Sequence, residues 1–403
     1  MMFEHVSLAP PDAIFGLSEA FRKDPNPRKI NLGAGVYKDE QGLTPVLACV
    51  KEAERRILES ELSKTYLPID GSADYGRAVQ ELVFGARHDA VASGRVVTAH
   101  CPGGTGALRV AAELLKLARP ATTVWLSEPT WPNHPQICDA VGLERKTYPY
   151  FDAATNDLEL ERMTAALERV EAGDVVMLHG CCHNPSGVDL TPEQWGLLGD
   201  LLAARQAVPL VDFAYQGFAF GVEEDASGIR TLSERVPELV VCSSFSKNFG
   251  LYNERVGALT IVAASRERAE AVRSQVKRLI RASYSNPPAH GSAIVATVLG
   301  DAALERQWQE ELARMRQRIH DVRRRFAREL DARGVRLSPA GNGFIARQLG
   351  MFSFSGLGRE QVARLRDEHS IYLVGSGRVN VAGMTPANMA ALCDAIAAVV
   401  GAT

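Results

Sequence analysis

Aromatic residues supply only 7% of this 403-residue chain, and neither sign of charge prevails: 45 Lys and Arg stand against 48 Asp and Glu, for a formal net charge of −3. That balance, with no long run of like charge, points to neither a nucleic-acid nor a membrane-surface partner. No stretch approaches the ~18 uninterrupted apolar residues of a membrane-crossing helix. The opening "MMFEHVSLAPPDAIF" lacks a basic segment followed by an apolar one, so no secretory signal is read in it. Cysteine is scarce and odd in number, seven in all, with Cys181 and Cys182 adjacent and no C-x-x-C pair. This excludes a disulfide framework and predicts a reduced, cytoplasmic protein. Repeats of fixed period and low-complexity linkers are missing too. What remains is 46% hydrophobic, ample for a large core, and long enough for about two or three domains at roughly 150 residues each.

The middle of the chain alternates apolar runs with helical patterns. "TTVWLSE" (122–128), "DVVMLHG" (174–180), "VPLVDFAY" (208–215), "LVVCSSFS" (239–246) and "GALTIVAA" (257–264) are short, rich in β-branched residues and apolar throughout, as strands covered on both faces are. Between them, Thr191 opens a helix, with proline at the first helical position and glutamine three residues after the cap. A second helix follows "CPGGTG". The pattern predicts an α/β domain with a mainly parallel sheet flanked by helices. "LERQWQEELARMRQRIHDVRRRFARELDARG" reads as one long amphipathic helix closing on Gly334, and the segments after it read as a smaller α+β unit. The division expected is an N-terminal segment, 1–44, packing with the small unit; a large domain, 45–312; and a small C-terminal domain, 313–403.

Chemistry gathers just past the predicted strands, where open α/β sheets bind ligands. Lys247 follows "LVVCSSFS", with Arg255 eight residues on; it reads equally as a solvated cation or as a nucleophile whose pKa a neighbouring guanidinium lowers. Asp212 and Tyr215 end "VDFAY". A carboxylate there needs a partner. It serves either as a structural ion pair or as the counter-ion of a protonated cofactor ring, as pyridoxal phosphate chemistry requires. "CPGGTGALR" (101–109) is a glycine turn opening a helix, able to aim backbone N–H groups at phosphate beside Ser244, Ser246 and Arg255; it lacks the G-K-[ST] ending of a nucleotide loop. In "HGCCHNPSG" the adjacent cysteines are poorly placed to share one tetrahedral ion, so no metal is expected. Asn184 there offers an amide to a phenolic oxygen. Arg281 and Arg378 lie among small residues where a carboxylate clamp could form, while Trp131 and His134 share the turn "PTWPNH".

Taken together, "INLGAGVYKDE", "YLPIDG", "CPGGTGALR", "PTWPNH", "HGCCHNPSG", "DFAYQGF", "SSFSKNFGLYNERVG", "YSNPPAHG", "GMFSFSGL" and "SGRVNVAGM" resemble the aspartate/aromatic aminotransferases, class I enzymes of the pyridoxal phosphate fold-type I superfamily, nearly end to end. The resemblance implies that superfamily's large and small domains and pyridoxal 5'-phosphate as cofactor. It implies a homodimer with shared active sites, and a ping-pong exchange between an amino acid and a 2-oxo acid. It makes Lys247 the Schiff-base lysine and the carrier of the substrate's α-proton, and Asp212 the partner of the pyridine nitrogen, oriented by His134. Tyr215 and Asn184 then bond the ring's phenolic oxygen, and Trp131 lies near the ring. Gly104, Thr105, Ser244 and Arg255 take the phosphate, with Tyr66 reaching it from the neighbouring subunit. Gly35 and Arg378 take the substrate's α-carboxylate, and Arg281 of the neighbouring subunit takes a distal one. A second buried arginine favours aspartate or glutamate with 2-oxoglutarate or oxaloacetate. An aromatic-amino-acid aminotransferase and a non-catalytic ligand sensor on the same fold are the alternatives. Three positions depart from the family pattern: Ser186 in "NPSG", Cys101, and Phe220, where the aspartate branch often has arginine.

Overall fold

The computed structural model describes residues 2–8 and 15–401. The rest of the expected N-terminal segment, residues 1 and 9–14, lies outside the described residues.

A seven-stranded sheet forms the centre: β1 (Val96–Pro102), β2 (Thr123–Glu128), β3 (Glu144–Pro149), β4 (Val175–His179), β5 (Val208–Phe213), β6 (Leu239–Ser244) and β7 (Val256–Val262). Their spatial order is β1-β7-β6-β5-β4-β2-β3. Only β7 runs against the rest, antiparallel to both β1 and β6; the remaining pairs are parallel. Strands β4, β6 and β7 are buried along their whole length, which is why they read as unbroken apolar runs. The edge strand β3, "ERKTYP", exposes four of its residues, so it carries no such signal, and β1 was hidden by its polar alternation, "VVTAHCP".

Helices cover the sheet. Pro192–Ala204 begins with the expected capping box, Thr191 Oγ1 accepting from the Gln194 N–H while Gln194 Oε1 accepts from the Thr191 N–H. Gly103–Ala118 follows β1 directly. At Gly103, φ is +75°, and a Cβ there would lie 2.3 Å from Arg255 Nη2. The turn therefore admits glycine alone.

The long helix spans Ala302–Asp331, 30 residues, and the chain turns away at Gly334 with φ +68°. The boundary expected at 312/313 falls inside it. Beyond it, Phe352–Phe354 pairs antiparallel with Arg378–Asn380, and the helix Pro386–Val400 closes the chain. Ile30–Asn31 pairs in parallel with Ile371–Tyr372, joining the N-terminal segment to this smaller unit. Among the described residues no helix is long and apolar enough to cross a membrane.

Candidate active site

Sheet direction decides which residues meet. Because β1, β2, β4, β5 and β6 run one way, their carboxyl ends share an edge, and β7, running the other way, begins there. That edge therefore receives Gly103 and Gly104 after β1, Trp131 and His134 after β2, Asn184 after β4, Asp212 and Tyr215 from β5, and Lys247 after β6. Arg255 joins them from the residue before β7. Residues up to about 150 positions apart in sequence converge by topology alone.

Lys247 is partly buried, and its Nζ lies 5.0 Å from the centre of the Tyr215 ring with no hydrogen bond among the described residues. Burial is the largest influence on it; Asp212 pulls its pKa upward, Arg255 and Arg378 push it down, and the net effect brings it to about 8. The ammonium still predominates just below that value, but the neutral amine is far more populated there than for a lysine in water. Asp212 is buried, and although burial opposes its charge, the hydrogen bond from His134 and the neighbouring His134, His179 and Lys247 hold its carboxyl below the usual range. His134 Nε2 stands 3.0 Å from Asp212 Oδ2, and its Nδ1 is 2.8 Å from Thr130 Oγ1. This arrangement leaves Asp212 Oδ1 without a donor among the described residues. Trp131 meets the His134 ring edge to face at 5.2 Å. Burial raises the Tyr215 phenol, the guanidinium of Arg378 opposing it, and its hydroxyl has no hydrogen-bond partner among the described residues.

The groups expected to bind anions divide into two sets. At the start of Gly103–Ala118, Gly104 is buried and its would-be Cβ meets that of Ser244 at 3.0 Å. Arg255 Nη1 donates to Ser246 Oγ and to the Tyr252 carbonyl, both at 3.1 Å, which leaves Nη2 unused. Thr105 is exposed. In the second set, Arg378 is 3% exposed and Asn184 is buried. Arg378 Nη1 donates to Asn184 Oδ1 at 3.2 Å and Nη2 to the Gly33 carbonyl at 2.8 Å. Its guanidinium lies 4.2 Å from the centre of the Phe352 ring, and burial lowers its pKa to about 10. Gly35 packs on the same ring, where a Cβ would come within 2.9 Å of Phe352 Cζ.

Two expected residues stay apart from this group in the single chain. Tyr66 is 91% exposed. Arg281 is exposed at the end of the helix Arg266–Ser283, bonded to Ser285. Cys181 and Cys182 are buried, and both ring nitrogens of His183 are engaged by Ser127 and Ser186, so the three form no joint ligand set.

Phe352, Gly33, Thr130 and Tyr252 escaped the sequence reading, as did His179. His179 pairs with Asp212 in the β4–β5 register. Both its nitrogens are buried without partners, and burial brings its pKa down to about 3. Phe352 had a faint signal, the alternation in "MFSF"; backbone carbonyls such as that of Gly33 have none.

The unused groups form one pattern: a poised amine, a carboxylate oxygen, a phenol, a guanidinium over a helix N-terminus, and the Arg378 Nε, which is buried without an acceptor. That set suits pyridoxal 5'-phosphate, whose aldehyde, ring nitrogen, phenolic oxygen and phosphate need those partners in turn.

Comparison with known proteins agrees. The family model "Aminotransferase class I and II" matches residues 27–396. The aspartate aminotransferase of Salmonella typhi is 54% identical over 398 residues, 99% of this chain and 100% of that one. The aromatic-amino-acid aminotransferase of Pseudomonas aeruginosa is 47% identical, over 98% of each chain. Among solved structures, the aromatic-amino-acid aminotransferase of Burkholderia pseudomallei covalently bound to pyridoxal phosphate superposes with a TM-score of 0.95 at 46% identity, covering 100% of both chains.

Proposed function

The chain belongs to the class I and II aminotransferases, and from that premise we propose that it exchanges amino groups between aspartate or glutamate and 2-oxoglutarate or oxaloacetate by a ping-pong cycle. One observation carries the reading: Lys247 presents an amine without a protein hydrogen bond to Asp212, Arg255 and Arg378, all close enough to act on its charge. Bound pyridoxal 5'-phosphate supplies an electron sink for the negative charge left at the substrate's α-carbon.

The chain's own residues do the rest. Lys247 would hold the cofactor through its aldehyde carbon, and its free amine would move the substrate's α-proton between the substrate's α-carbon and the cofactor. Asp212, kept ionised and aimed by His134, would hold a proton on the ring nitrogen. Tyr215 and Asn184 bond the phenolic oxygen. Gly104, Thr105, Ser244 and Arg255 fix the phosphate, and Trp131 walls the ring. Arg378, braced by Asn184 and the Gly33 carbonyl, clamps the α-carboxylate beside Gly35. This orients the Cα–H bond toward the amine.

The exposed positions of Tyr66 and Arg281 support a homodimer, in which each subunit lends these two residues to the other's site. Arg281 there meets the distal carboxylate, which accounts for the dicarboxylate preference. The chain's charge balance and the absence of an apolar spanning helix among the described residues support a cytoplasmic setting. A second reading, preference for aromatic amino acids, has the 47% identity to an aromatic-amino-acid aminotransferase in its favour. Measuring kcat/KM for aspartate and for phenylalanine with 2-oxoglutarate decides between them, since specificity is a difference in transition-state binding. Aspartate is expected to win; a higher value for phenylalanine overturns the dicarboxylate reading, and no turnover of either favours the sensor.

A further inference from the structure

The charge-rich face of the long helix takes no part in the site described above. Where that helix, Ala302–Asp331, meets the start of Pro386–Val400, a cavity of about 520 Å³ opens, within the range of small-molecule sites. Arg314, Arg318, Arg324, Arg325 and Arg328 line it, against two acids, Glu40 and Asp321. Arg314, Arg318, Arg325 and Arg328 fall at i, i+4, i+11 and i+14, one face of the helix, so their like charges repel.

Their partners are what sets them apart. Further along the chain, Arg333 is matched by Glu329 and Asp394. In the cavity only Arg324 has a close carboxylate, Asp321, and Arg325 stands 3.8 Å from Glu329. Arg314, Arg318 and Arg328 have none among the described residues. Arg318 is fixed in place instead by backbone: its Nη2 donates to the Asp39 carbonyl at 3.1 Å and the Met384 carbonyl at 2.7 Å, and its guanidinium lies 5.5 Å from the centre of the Tyr37 ring. Its Nε is buried with no acceptor. A guanidinium preorganised by backbone carbonyls, beside two guanidiniums with no carboxylate partner among the described residues, concentrates positive charge on the cavity wall. Thr385, the N-cap of Pro386–Val400, adds the positive end of that helix, and Val322 and Met389 give the cavity an apolar side.

We propose that this cavity binds a small anion bearing two or more phosphate groups, gripped by Arg314, Arg318 and Arg328. Phosphate is the favoured chemistry because several oxygens on one centre match the guanidinium fork, and adjoining phosphates span neighbouring arginines.

The test is calorimetric titration of the holoenzyme with inorganic triphosphate at low ionic strength, repeated on the double variant Arg314→Glu/Arg328→Glu. Both positions are exposed and outside the catalytic site, so transaminase turnover serves as the folding control. One saturable site is expected, with affinity falling by about tenfold or more in the double variant, as loss of charge-assisted bonds requires, while turnover holds. If that variant fails to fold, Arg314→Gln/Arg328→Gln replaces it, with a smaller loss expected. Absence of saturable binding overturns the proposal. So does an affinity unchanged by the substitutions, which places the triphosphate on the arginines of the active site.

Discussion

Lys247 shows how one residue's setting becomes reactivity. In water its amine would be protonated at neutral pH; burial and two guanidiniums bring the pKa to about 8, Asp212 alone pulling the other way. The sign follows directly: below pH 8 the ammonium dominates and cannot attack an aldehyde, and above it the free amine does. Cofactor uptake by the apoenzyme, followed by absorbance, should therefore quicken with pH through about 8 and level off above it. Asp212→Asn removes the one influence favouring the ammonium, so the midpoint of that profile should move to lower pH; an upward move contradicts the assignment. Lys247→Ala should lower turnover by at least about 10²–10⁴-fold, the range for one proton-transfer group, and steady-state assay of the purified variant checks it. These residues were legible because each sits in a short block beside a strand. The Arg378–Phe352 stacking was not, since it joins segments whose proximity only the fold creates.

Elements place these residues, and their ends matter more than their middles. The segment after Lys247 is tied to the long helix by Trp308, whose Nε1 donates to the Asn248 carbonyl at 2.8 Å and whose ring stacks on Phe249 at 4.6 Å. Trp308 is fully buried. Trp308→Ala should cost about 3–5 kcal/mol of stability, as for other large-to-small core changes, measurable by denaturant unfolding of the apoenzyme. Thr191→Ala lies at an exposed helix start and is none of the residues assigned to the site. It should cost about 1 kcal/mol and leave kcat unchanged. The buried strands and the capped helix could be read from the sequence because burial on both faces and capping chemistry leave local traces. Strand β3 could not: its exposed, charged residues are the signature of an edge, which looks like a loop until the sheet is assembled.

The whole molecule is where the single chain falls short of the proposed function, since Tyr66 and Arg281 point to solvent. Shared sites give a sharp expectation. Arg281→Ala should reduce kcat/KM for aspartate by about 2–5 kcal/mol, the loss on truncating one partner of a buried ion pair. Its effect on phenylalanine should be far smaller. Mixing Lys247→Ala subunits with Arg281→Ala subunits under exchange conditions should then raise aspartate turnover above that of either parent, because one site of each hybrid dimer is intact. No gain on mixing means that each site is built within one chain. The alternating strands and helices made the large domain's class readable in advance. The small unit was only outlined, because its pairings, Ile30–Asn31 with Ile371–Tyr372 above all, join the two ends of the chain. The central claim is that Lys247 is the amine that carries the cofactor. Borohydride reduction of the holoenzyme, followed by digestion and mass spectrometry, tests it most directly: the account predicts the cofactor's mass on the peptide containing Lys247 and on no other, whereas a label on a different lysine, or none on a protein that binds the cofactor, would contradict it.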